Sequence, residues 1–470
     1  MKLKGEMVLE LTDKNTGEVE TVKETNMITN AVNHLLGINP AALWYKTSGE
    51  YDASLMWNDN MLPICPNMIG GILLFSKTLT EDVDNIYPSS DNLPVAYASN
   101  NVNSTANTAR GSMNLTESKA LENGYKFVWE FTPSQGNGTI AAVGLTSKQG
   151  GENAWGSKVN SSTPYLYIRN IDIGNLNEKK QMQLFHAVEI DFENNLLYAV
   201  SYKDSAVTVE KYRMPLFNIG LNEKLDDSTL TLLDTHALTC STFTFCGSYT
   251  PYGTFLDGRD GFWYGFANEE NASGSATMYW IRISKTDYSF TEGTWTLTNA
   301  KLQIVGSGKY ENYPEMVHKS VVRNGCLYAL AYDNKGVYKI NLANPSDVTL
   351  LKLGFTSANK PLGSSGSSEV YLTMVNDLII GWDFMIDVND NVIRTAGTQR
   401  FDQNIGSQIF QYREYLTCFC SSYGTESHKW FILTPYLASI NNLSSAVVKN
   451  ADKTMKITYT LTEDTSGSTS

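Results

Sequence analysis

The sequence predicts an all-β protein: a β-sandwich-like base domain formed by both termini, with a β-propeller-like domain of about five blades inserted between them. Three observations lead there. Only 18% of residues are charged, and 35 Gly and 26 Tyr accompany many Ser, Thr and Asn, a turn-rich β composition. Short apolar strands separated by polar turns recur through the middle of the chain. Both ends carry stretches that alternate apolar and polar with the period of two expected of a half-buried strand. At 470 residues the chain exceeds one ordinary core, so more than one domain is expected.

Residues 6–12 and 18–24 read as a hairpin joined by Asp13-Lys14-Asn15-Thr16-Gly17. Asn26 then caps a predicted helix over 27–36, with Ile28, Val32, Leu35 and Leu36 on one face and Gly37 at its stop. From 39 to 110 the sequence is irregular, apart from an apolar run at 69–75 that suits a buried strand. Long ordered loops of this kind are usually functional or interfacial. Residues 112–118 and 125–131 flank a turn at 121–124. The clearest local unit is 125–147. Tyr125, Phe127, Trp129 and Phe131 share one strand face, Pro133, Ser134, Gly136, Asn137 and Gly138 supply a reversal, and 139–145 runs back, which predicts a hairpin. A Gly-, Ser- and Asn-rich stretch at 148–162 marks a boundary. This places a base domain at 1–155, completed by 436–470, and a propeller-like domain at 156–435.

Within that middle, 186–202, 318–332 and 370–384 align as strand, polar turn and aromatic-rich strand. The second half of the pattern returns at 260–266 with 278–283, and at 414–421 with 429–433. Val337 to Ile340 adds a further strand after the turn Asp333-Asn334-Lys335-Gly336, as a four-stranded blade requires. At the far end, 453–461 alternates with Met455, Ile457, Tyr459 and Leu461 apolar; a lone terminal strand needs a partner sheet, and the N-terminal one is the natural choice.

The formal charge of −13 and the absence of clustered Lys and Arg argue against a nucleic-acid surface. No stretch reaches the ~18 apolar residues of a membrane-spanning helix, and the N-terminus has no signal-peptide core, so folding in a cytosol and no membrane insertion are expected. Cys65, Cys240, Cys246, Cys326, Cys418 and Cys420 form no disulfide-dense pattern and are expected reduced.

No catalytic signature emerges, and neither a metal nor a cofactor is expected. Asp387, Asn389 and Asn391 copy the start of a calcium loop, but Val392 stands where glycine is needed and Thr398 where a bidentate carboxylate is needed, so a polar turn is the simpler reading. Ser289 to Trp295 approximates the Asp-box turn of sialidases but lacks the aspartate, and is read as an ordinary blade turn. The five histidines show no metal-ligand spacing; His186 and His318 occupy matching repeat positions, which suggests a structural role. Exposed aromatic rings stack on sugars or anchor interfaces. Tyr249, Tyr252, Phe255, Tyr310 and Tyr313 in the long blade insertions are therefore candidate surface contacts, with Trp44, Tyr45, Tyr51 and Trp57 in the earlier loops as further exposed rings.

The segments WEFTPSQGNGTIAAVGLT, KGEMVLELTDKNTGEVETVKETNMITNAVNHLLG and KNADKTMKITYTLTE resemble segments of structural proteins of tailed bacteriophages and prophages, namely tail-associated or host-attachment components. The likeness covers roughly the first 150 and last 25 residues. It implies a virion component assembled in the bacterial cytoplasm, with other virion proteins and a host-surface receptor or glycan as partners. It also implies a homo-oligomer; fibres and receptor-binding tips are often trimeric, although no coiled-coil heptad marks this chain. The expected function is a tail or adhesion protein presenting the propeller for host attachment. One alternative is a propeller-type glycoside hydrolase or lyase acting on polysaccharide, using carboxylates such as Asp257, Asp260 and Glu315. Another is a purely architectural virion part at the neck, head or tail.

Overall fold

The computed structural model describes residues 3–32, 67–89, 91–99, 107–153, 165–174, 184–203, 205–214, 230–244, 255–268, 275–298, 300–302, 320–357, 372–375, 377–381, 383–394, 408–412, 415–422, 425–433 and 436–464. The chain opens with β1 (Leu3–Asp13) and β2 (Val19–Ile28), paired from Gly5↔Asn26 to Thr12↔Val19. The Asp13 carboxylate accepts the amides of Asn15 and Thr16 at 2.7 and 3.0 Å, and Gly17 takes a φ of 74°, so the turn chemistry is as expected. The helix expected from Met27 does not start there. Met27 and Ile28 complete β2 by pairing with Ile440 and Ser439, Asn26 pairs with Gly5 instead of capping, and helical backbone begins at Asn30. Ladder bonds to a distant strand outweigh a local helical pattern. The part of that helix after Val32 lies outside the described residues.

Next come β3 (Gly71–Phe75), buried throughout, and β4 (Ala96–Ala98), a strand that the Asn- and Pro-rich sequence around it concealed. β5 (Ser112–Met113) is shorter than the expected 112–118, because the Asn114 side chain accepts the amides of Thr116 and Glu117 and turns the chain. β6 (Lys119–Leu121), β7 (Gly124–Phe131) and β8 (Gly138–Thr146) follow, and a short helix α1 (Lys148–Asn153) opens the stretch expected to be a structureless break.

After β9 (Tyr165–Gly174) the strands fall into fours. Blade one is β10 (Ala187–Asp191), β11 (Leu196–Lys203), β12 (Ala206–Arg213) and β13 (Thr231–Thr239). Blade two is β14 (Phe255–Asp257), β15 (Phe262–Asn268), β16 (Ser275–Ser284) and β17 (Phe290–Thr298). Blade three is β18 (Val321–Arg323), β19 (Cys326–Leu330), β20 (Gly336–Asn341) and β21 (Val348–Lys352). Blade four is β22 (Thr373–Val375), β23 (Leu378–Ile380), β24 (Phe384–Ile386) and β25 (Val392–Arg394). Blade five is β26 (Phe410–Tyr412), β27 (Tyr415–Ser422) and β28 (Thr425–Leu433), completed by β9 as its fourth strand. These are the segments where the sequence repeats.

A sheet apolar on both faces must be covered on both, and the blades cover one another. Val200 and Val209 of blade one pack with Phe255, Trp263 and Ile281 of blade two. Phe266 and Met278 meet Leu327 and Ile340 of blade three. Leu330 and Val337 meet Ile379 and Phe384 of blade four. Phe410 and Phe419 of blade five pack on Leu197 and Ala199 of blade one, so the last blade abuts the first and the sheets form a ring.

The chain ends with β29 (Ser439–Lys449) and β30 (Lys453–Glu463). Contacts divide the molecule into two compact units, Met1–Ile168 with Ile432–Ser470, and Arg169–Phe431. In the first, the strands form one hydrogen-bonded path, β4-β3-β8-β29-β2-β1-β30-β7-β5, with β6 also on β7. β30 pairs with β1 from Leu3↔Glu463 to Asp13↔Lys453, and with β7 on its other side. The two ends of the path also meet, where the sequence suggested a two-layer sandwich: Tyr97 of β4 bridges Arg110, and the amides of Gly111 and Met113 donate to the carbonyls of Tyr97 and Ser99 at 2.9 and 2.8 Å, so the sheet closes on itself. Trp129 of β7 is fully buried and donates its indole N–H to the Gly70 carbonyl beside β3 at 3.2 Å. The expected 125–147 hairpin is accordingly corrected. Both strands form, but β7 pairs with β30, β5 and β6, while β8 pairs with β29 and β3. The turn between them joins strands that are not neighbours in the path, and Lys449 clamps it, donating to Thr132 O at 2.9 Å and Asn137 Oδ1 at 2.8 Å.

Candidate functional site

The first strands of all five blades, β10, β14, β18, β22 and β26, line a single cavity of about 190 Å³. Its walls are mixed: Val188, Leu256, Val322 and Met374 are apolar, while Ser320, Thr373, Gln408 and Gln411 add neutral polar groups. Gln408 donates across the ring to the Phe255 carbonyl at 3.1 Å. One end is charged. Glu189 on β10 and Asp257 on β14 both reach Lys285, from the β16–β17 turn, at 2.7 Å. Trp263, buried behind them, donates its indole N–H to Glu189 at 2.8 Å. Burial pulls the Lys285 pKa down, but hydrogen bonds to Asp257 and Glu189 outweigh it and hold the ammonium above its ordinary value.

Beside this cluster stands Arg259, which also lines the cavity. Its guanidinium meets the Asp377 carboxylate at 3.3 Å, linking blade two to blade four past blade three. Arg259 has a φ of 57°, a left-handed conformation that a side chain of its size rarely adopts. The first hairpin turns of blades one, three and four also hold a residue of positive φ, Asn195, Asn324 and Asp377, types that tolerate it, although those turns are shorter than that of blade two. Arg259, like Ser205 and Tyr288, takes this conformation without an Asn or Asp side chain to ease it.

The second charged cluster joins blades three and four. Arg323, whose side chain is 2% exposed, donates to the carbonyls of Asp377 and Ile386 and to the Asp390 carboxylate at 2.8 Å. Tyr328 and Lys339 reach the same carboxylate at 2.8 and 2.6 Å. Desolvation works to raise the Asp390 pKa, but these partners overcome it and leave it lowered. With every Asp390 contact turned inward, this is a structural pin.

The segment from Asp387 to Asn391 is the polar β24–β25 turn expected: Asp387 accepts the amides of Asn389 and Asn391. Among the described residues no cluster of His, Cys, Asp and Glu has metal-ligand geometry. Ser289 to Trp295 is corrected from a turn to the start of strand β17. Phe255 is corrected from a surface aromatic to a core residue, 3% exposed and packed against Phe243. An apolar ring opening an inner strand is claimed by the interface between blades. Tyr249, Tyr252, Tyr310, Tyr313, Trp44, Tyr45, Tyr51, Trp57, Glu315 and His318 lie outside the described residues. His186 is buried at the start of blade one, which pushes its pKa down to about 4. Cys240 and Cys326 are free thiols. Burial first, then the nearby Glu292 charge, pushes the Cys240 thiol up to about 11. Of the expected carboxylates, Asp257 is at the cavity mouth. Asp260 is turned away to accept the Tyr264 hydroxyl at 2.6 Å.

Sequence reasoning missed Glu189, Lys285, Arg259 and Asp377. One signal was present: in the aligned repeats Glu189 stands where the second copy has Val321, a charge on an otherwise apolar inner strand.

No protein-family model matches this chain, and no curated protein matches it. Among solved structures, it is similar to a Trypanosoma rangeli sialidase in complex with sialic acid, at 11% identity over 67% of this chain and 53% of that one, with a TM-score of 0.28. It is also similar to a chain of a nidogen/laminin complex, at 13% identity over 71% and 96%, with a TM-score of 0.25. A third is apo AztD from Citrobacter koseri, at 10% identity over 60% of each chain, with a TM-score of 0.22. The chain thus spans about half the length of the sialidase it matches.

Proposed function

We propose that this chain is a structural component of a tailed-phage virion, a tail or adhesion protein whose base docks to the particle and whose propeller attaches to the host surface. The observation that carries this reading is the insertion. The first and last strands of the chain, β1 and β30, pair along their whole length, and the propeller is a continuous excursion between them. That is an arrangement for holding both ends of a module in one support. The likeness of the terminal segments to tailed-phage structural proteins supports the same reading.

Cryo-electron microscopy and mass spectrometry of purified particles test it: the protein is expected at defined positions on the virion, and its absence from intact particles overturns the proposal. Binding of the purified chain to host cells separates adhesion from an architectural role, which predicts none.

One observation favours a second reading, a polysaccharide-degrading enzyme. Glu189 and Asp257 share an ammonium at 2.7 Å, so their nearer oxygens lie no more than twice that distance apart, which at its upper limit meets the ~5–5.5 Å spacing of retaining glycosidases. Both oxygens, however, point at Lys285, which is ion-pair geometry; an acid catalyst turns its proton toward a leaving group. Release of reducing ends from purified host polysaccharide would establish this activity, and an unchanged polymer would remove it.

A further inference from the structure

The geometry points to the charged end of the axial cavity as a binding site for one uncharged sugar unit at the end of a glycan chain, with Arg259 as a hydrogen-bond donor to it. This rests on the attachment reading for its biological sense but not for its chemistry.

Size comes first. A cavity of about 190 Å³ holds about six waters at ~30 Å³ each, room for a single sugar ring and too little for an oligosaccharide. Inner strands of all five blades wall it, so among the described residues a chain end, rather than the middle of a polymer, fits the cavity.

Charge comes next. Each ionic group at the mouth already faces an opposite charge, Lys285 between Glu189 and Asp257, and Arg259 on Asp377. A charged ligand at Lys285 would have to strip one of its partly buried carboxylates and leave it uncompensated. Sugar hydroxyls need no counter-charge. They donate to carboxylate oxygens and accept from the ammonium and guanidinium while the pairs stay intact. The apolar wall, with Leu256 and Met374, suits the C–H face of the ring.

Arg259 supplies an independent argument. Most of the described non-glycine residues with positive φ are Asn or Asp, and Arg259 is an exception that stands at the cavity mouth. An exposed ion pair such as Arg259–Asp377, with side chains 45% and 62% accessible, contributes little to stability and does not compensate for backbone strain. A ligand contact at the cavity mouth accounts for the residue.

The test uses the full chain with glucose, galactose, mannose and N-acetylglucosamine as probes in saturation-transfer NMR, with affinities from titration. At least one neutral sugar is expected to bind. Arg259→Asn should melt higher than the parent, because asparagine tolerates the left-handed backbone that Arg259 adopts, yet bind at least fivefold more weakly; a purely structural arginine cannot give that combination. Met374→Trp, which fills the cavity, should abolish binding. The inference is overturned if no probe binds, or if both variants bind as tightly as the parent. Host-cell binding keeps the two claims apart: variants that attach normally while the parent binds no sugar sink this site and leave attachment standing. Sugar binding by a chain missing from virions does the reverse.

Discussion

The base and the propeller solve the same problem, an all-β core, by opposite means. The base relies on long ladders. β1, β30 and β7 run side by side with Leu9, Ile457 and Trp129 fully buried, and its distant pieces are joined by register over many residues. The propeller uses short sheets, some with three-residue strands, and gains cohesion between blades from apolar clusters and from charged side chains placed as pins. The lesson is that ladder length and polar pinning substitute for one another. Where strands are short, a buried ion network does what register does elsewhere.

That contrast can be broken from either side. The largest effect is expected in the base, where Trp129→Ala removes a fully buried ring and its bond to Gly70; about 4 kcal/mol should be lost from the base transition in denaturant unfolding, with the propeller transition unmoved. Arg323→Ala should cost the propeller about 3 kcal/mol, since Asp390 loses a buried partner, and equal losses in both transitions would refute the separation of roles.

A smaller effect of about 1–2 kcal/mol is expected for Glu292→Gln. Glu292 accepts the amides of Ser241, Thr242 and Phe243, the segment that leads out of blade one. Burial works to raise its pKa, but these bonds leave it lowered. Its contribution is therefore complete above the ordinary glutamate value of 4.5 and fades as pH falls through the lower folded value. Acid titration of propeller stability should lose that component in the variant.

The smallest test is Lys449, buried without a carboxylate contact. Desolvation brings its pKa down to about 8 from 10.5. The unfolded chain then binds the proton more tightly, so base stability should rise between about pH 8 and pH 10. Lys449→Met should flatten that rise, and an unchanged slope would show the ammonium is well solvated in its clamp.

Much of the fold was legible because strand periodicity is local. The alternation of Met455, Ile457, Tyr459 and Leu461, and the repeat beginning at His186, each declare a strand without reference to anything distant. Pairing was not legible. β7 and β8 read as a hairpin because a good turn joins them, yet each takes one partner from a strand hundreds of residues away, and β4 was hidden because three residues carry no period. The site was the least visible part, since Glu189, Asp257, Arg259 and Asp377 meet only when a ring of blades closes. Charge on an apolar strand, at Glu189, was the trace it left.

The fourth strand of the last blade, β9, precedes the first blade in the chain and lies directly against β28, the strand by which the chain leaves. Tension applied through the two connections to the base therefore enters and exits within one sheet. The load path crosses the hydrogen bonds between β9 and β28 and bypasses the other four blades, so the ring would stay shut under a pull that did not first part that single seam.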